Sequence, residues 1–109
     1  MPWFVKYETF TAVAAAMPIE QRRTIIQAHR QWVQQEKAKG RLIHSGFLVD
    51  EKRNPGAGGL MVFSANNYEE AFQWVQYDPM ICQGLVIWLL SEWIIDCEKS
   101  FDRGDESVN

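Results

Sequence analysis

The stretch Pro18 to Gly40, PIEQRRTIIQAHRQWVQQEKAKG, constrains the fold most, because its apolar residues recur at helical spacing between two well-marked ends. At about 100° per residue, Ile25, Ile26, Trp32 and Val33 fall in one sector centred on His29. Glu20, Thr24, Gln27, Gln31, Gln34 and Ala38 point the other way. Pro18 suits the first helical position, where a missing N–H costs nothing, and Gly40 suits the left-handed residue past the last turn. The spacing predicts a long helix that turns His29 inward.

Shorter elements flank this helix. WFVKYET, Trp3 to Thr9, is β-branched and aromatic; it sets Trp3, Val5 and Tyr7 on one side and Phe4, Lys6 and Glu8 on the other, as a strand does. Phe10 to Met17 reads as a connection, too short for an independent helix. After Gly40, Leu42, His44, Gly46 and Leu48 share one face of a second strand, and Ile43, Ser45 and Phe47 share the other. DEKRNPGAGG has turn chemistry, LMVFS is a short third strand, and the two strands form an antiparallel hairpin with a longish loop.

Asn66 and Asn67 precede Glu69 and Glu70 as a cap with acidic residues in the first turn, and Tyr68, Ala71, Phe72 and Val75 make the stripe of a second helix. Asp78-Pro79 stops it, and Asp78 can cap a short helical segment that Gly84 closes. LVIWLLSEWII then reads as a strand covered on both faces. The order βαββαβ predicts an α+β, ferredoxin-like split sandwich.

The 109 residues suit one domain, placed at residues 1–96, with a polar acidic tail over 97–109 that should be mobile. A net charge of −3 argues against a nucleic-acid binder. The longest apolar run, Leu85 to Leu90, is far short of the ~20 residues a bilayer requires. Cys82 and Cys97, in a chain opening without a signal-peptide pattern, read as reduced thiols of a cytoplasmic protein. Two helices cover one sheet face, yet Trp3, Phe4, Phe47, Trp88 and Trp93 load both. Leaving such side chains in water costs about 1.5–3 kcal/mol each, so a homodimer through the open face of the sheet is expected.

Two residues suggest chemistry. His29 on an apolar face is either a core histidine with one satisfied nitrogen or part of a site. Asp78 is either only a cap or also a partner for that imidazole, since a carboxylate can accept backbone N–H groups and a ring N–H together. A split βαβ fold lays both helices on one face, so the two can be neighbours. The pair would fix the imidazole tautomer and leave its other nitrogen free to exchange a proton. His29 and His44 lack the compact cluster of a metal site, so no metal is expected.

The chain also resembles the YciI-like proteins of the dimeric α+β barrel superfamily. The resemblance rests on Phe4-Val5-Lys6-Tyr7, Ala28-His29, Gly40-Arg41-Leu42, Gly46, Glu69-Glu70-Ala71 with Trp74, and Asp78-Pro79 followed by Gly84, and it covers most of residues 3–96. It implies a dimeric α+β barrel with a His-Asp dyad on His29 and Asp78 and no cofactor. It also implies a small-molecule acid–base enzyme, a lyase or isomerase; one relative is a dehydrochlorinase acting on a chlorinated hydroquinone, and most members have no assigned reaction. A non-catalytic ligand-binding or regulatory dimer is the alternative. Around the dyad, Tyr7, Arg22, Ser45 and Gly46 are the candidate ligand contacts, Tyr7 and Ser45 being otherwise ordinary strand residues; Ile26 stands where the family often has arginine, a departure that argues against an anion clamp there, with Arg22 and Arg30 nearby on the helix.

Overall fold

The computed structural model describes residues 1–97, so the expected acidic tail lies outside the described residues apart from Cys97. The chain runs β1 (Trp3–Phe10), α1 (Ala12–Ala16), α2 (Ile19–Ala38), β2 (Ile43–Val49), β3 (Pro55–Ser64), α3 (Tyr68–Val75), α4 (Pro79–Cys82) and β4 (Val86–Trp93). The sheet order is β2-β3-β1-β4 with every neighbouring pair antiparallel, which is the ferredoxin-like α+β arrangement.

Register sorts the side chains onto two faces. Phe4 pairs with Phe63, and Phe63 with Ile43, so these three share a face and pack with Val33, Ala71, Trp74 and Val75 of the helices. A second cluster, Ala14, Met80, Leu85 and Val86, with Ile25 and Ile26 against it, seats α1 and α4 at the far end of that face. Burying one such large side chain contributes about 1.5–3 kcal/mol, which sets this face as the core. The other face, bearing Tyr7, Ile87, Leu89 and Trp93, stays open in the single chain.

Three local readings of the sequence are corrected. The connection after β1 forms the short helix α1, because Thr11 Oγ1 accepts the Ala14 N–H at 3.2 Å and alanine is the best helix former. Pro18 is the N-cap of α2 rather than its first helical residue, while Gly40, at φ 103°, takes the left-handed position after it. β3 begins at Pro55, not at Leu60. Its glycines pair in the ladder, Gly59 with both Glu8 and Phe47, and a Cβ at Gly58 would collide with the Glu8 carbonyl oxygen. Glycine here permits close backbone approach as well as turning. Within one chain β4 is covered on one face only: Val86 is buried, and Ile87 and Leu89 are exposed.

Candidate active site

Alternation along β1 puts Lys6 and Glu8 on the same face as the core residue Phe4, beneath the helices. Lys6 is only 1 % exposed, and burying an unpaired ammonium there would be prohibitive. Its Nζ lies 2.8 Å from Asp78 Oδ2 and 2.8 Å from Glu8 Oε1. The row continues to α2, where His29 Nδ1 sits 2.8 Å from Asp78 Oδ1.

Asp78 reaches this point because Pro79 ends the preceding helix and opens α4, which makes Asp78 its N-cap. Its Oδ1 also accepts the Met80 backbone N–H at 2.9 Å. Burial alone would raise the Asp78 pKa, but the His29 hydrogen bond and the Lys6 ammonium outweigh it and hold the carboxyl below its ordinary value. An ionised Asp78 is an acceptor only, so the 2.8 Å contact fits a protonated Nδ1 as its donor, which leaves Nε2 as the second ring nitrogen. Ser45 Oγ lies 3.4 Å from that Nε2.

A cavity of about 390 Å³ opens beside the imidazole, between α2 and the sheet. His29 and Ser45 line it at the polar end, with Ile26, Val33, Met61 and Met80 among the apolar walls. Its volume falls in the range of small-molecule sites, roughly 300–1,000 Å³. Chemically, the arrangement is an oriented imidazole with one nitrogen spoken for and the other beside a hollow.

The residues singled out in the sequence separate here. His29, Asp78 and Ser45 are brought together, and Gly46 lines the cavity. Tyr7 is not: it belongs to the opposite face, and its hydroxyl donates to the Ala57 carbonyl at 3.3 Å. Arg22 instead donates from Nη1 to the Ala14 carbonyl at 3.1 Å, docking α1 onto α2. His44 pairs with Val62 on the open face, away from His29. Among the described residues no group of three or more His, Cys, Asp or Glu side chains could hold a metal ion. No described helix is long and apolar enough to cross a membrane. Lys6 and Glu8 do not stand out as site residues in the sequence, yet their phase with Phe4 carries the signal: charges in step with a core aromatic must be paired.

Comparison with known proteins adds to this geometry. The model of the YCII-related domain matches residues 3–98. No protein among the curated sequences matches. In fold, the chain is similar to 5-chloro-2-hydroxyhydroquinone dehydrochlorinase from Burkholderia phenoliruptrix AC1100, solved in complex with 2,5-dihydroxybenzoquinone. That similarity has a TM-score of 0.56 at 21% identity, covering 84% of this chain and 93% of the other, and it shows a shared α+β fold.

Proposed function

The chain belongs to the YCII-related domain family, and from that premise we propose that it is a small-molecule acid–base enzyme in which His29 moves the proton and Asp78 orients it. The observation that carries this reading is the 2.8 Å contact of His29 Nδ1 with a buried carboxylate, on a ring that faces a cavity. Asp78 fixes the tautomer and stabilises the imidazolium formed when Nε2 takes a proton. Proton removal from an activated carbon opens two reaction classes, elimination and isomerisation. The name of the fold neighbour supports the first, since loss of HCl begins or ends with a proton transfer.

The same reading includes a homodimer. Ile87 and Leu89 are 63% and 68% exposed on one sheet face, with Tyr7 and Trp93 beside them. A second copy of the sheet is the partner that would cover them without a change of fold.

Chlorinated hydroquinones and small enolisable ketones, followed by chloride release and ultraviolet absorbance, test the proposal. Turnover by the wild type that falls about 10²–10⁴-fold in His29→Ala is the expected result, with circular dichroism unchanged. Equal turnover by the variant would remove His29 from the chemistry, and a folded protein that binds these compounds without converting them would make the site a binding module.

A further inference from the structure

We infer that Glu8 is a specificity residue of this cavity, accepting a hydrogen bond from the ligand, and that the site therefore takes neutral small molecules with O–H or N–H donors in preference to anions. The inference rests on reading the cavity as a ligand site and deepens it, because nothing in the His29 chemistry requires a second carboxylate.

Glu8 is 8 % exposed and lines the cavity. Its Oε1 is sealed against Lys6 Nζ at 2.8 Å, which leaves Oε2, with no hydrogen-bond donor among the described residues, as the accessible oxygen of the carboxylate. A carboxylate oxygen that borders a hollow and lacks a protein donor is suited to a donor that arrives with a ligand. Room for the carboxylate is built in. Glu8 faces Gly59 across the ladder, and a Cβ there would lie 2.9 Å from Glu8 Oε2. Any larger residue would push the carboxylate from its seat.

Charge points the same way. The buried row holds two carboxylates, Glu8 and Asp78, against the single ammonium of Lys6, so with a neutral His29 it is net negative. The cavity's other cation, Arg30, is exposed. A negative ligand would meet like charge where water is scarce and attraction only where solvent screens it. Apolar walls at Ile26, Val33, Met61 and Met80 leave the body of the ligand hydrophobic.

Three ring compounds of similar size probe this directly: hydroquinone, with two O–H donors, 1,4-dimethoxybenzene, with none, and benzoate, an anion. Binding is read from the methyl signals of Met61 and Met80 by NMR. Hydroquinone is expected to bind at least about tenfold more tightly than either competitor, the scale of a hydrogen bond to a charged group. Glu8→Gln should shrink the preference over benzoate by about tenfold. Gly59→Ala, which displaces the carboxylate while keeping its charge, should shrink the preference over dimethoxybenzene and covers the case in which Glu8→Gln fails to fold. The inference is overturned if hydroquinone binds no better than dimethoxybenzene, if the folded variants keep the wild-type preferences, or if no probe perturbs the two methyls. Its failure is distinguishable from failure of the acid–base reading: His29→Ala acts on turnover, whereas these variants act on which probe binds.

Discussion

The two faces of the sheet invert the ordinary rule of inside and outside, and β1 contributes to both. On the face beneath the helices it buries Lys6 and Glu8, while on the other it leaves Tyr7 40% exposed next to Leu89. One face thus holds charges without water, and the other offers apolar surface to it. Each anomaly has a different resolution. The buried charges resolve each other within the chain, in the row from Glu8 through Lys6 and Asp78 to His29. The exposed apolar side chains have no such partner among the described residues, and for them the proposed second copy is the resolution.

The largest expected effect comes from breaking the covered face. Lys6→Ala removes the cation between two buried carboxylates, and loss of one partner from a buried ion pair costs about 3–5 kcal/mol. Denaturant unfolding should register that loss. A change below about 1 kcal/mol would mean that the pair is as weak as a surface salt bridge and that water reaches it.

On the open face, Leu89→Lys places a charge at the centre of the proposed contact. Sedimentation should find a monomer where the wild type is a dimer, with the variant's fold intact; the lost burial is worth about 1.5–3 kcal/mol per chain. A monomeric wild type would break the comparison, leaving that face simply wet.

The smallest expected effect is in acid. Because the folded pKa of Asp78 is lowered, its contribution to stability is complete above the ordinary value of 3.8 and is lost as pH falls through the folded value. Stability should therefore fall more steeply below that point in the wild type than in Asp78→Asn, as measured by denaturation at successive pH values. Equal slopes would show that Asp78 titrates alike in both states.

Much of this was legible in the residues. Alternation in WFVKYET separates the two faces of β1, and the order of periodicities gives βαββαβ. The helical sector around His29 and the Asp78-Pro79 stop put those two side chains on elements that share a face. Less visible was what depends on register between distant strands. That Glu8 lies across from Gly59 is fixed by the β1–β3 pairing, and a glycine-rich run reads locally as a loop rather than as a strand that makes room. Residue type alone makes Tyr7 a hydrogen-bond donor for the site, but one step along the strand from Lys6 puts it on the opposite face.

In the proposed site, buried Asp78 holds the His29 imidazole with its Nδ1 proton toward the carboxylate and its Nε2 lone pair toward the cavity. Nitrogen-15 NMR of the histidine side chains reads the tautomer directly, at a pH where the ring is neutral, with His29→Gln assigning the signal. The account expects protonated Nδ1 and bare Nε2. The opposite tautomer, or an averaged pair of signals typical of a free imidazole, would contradict it.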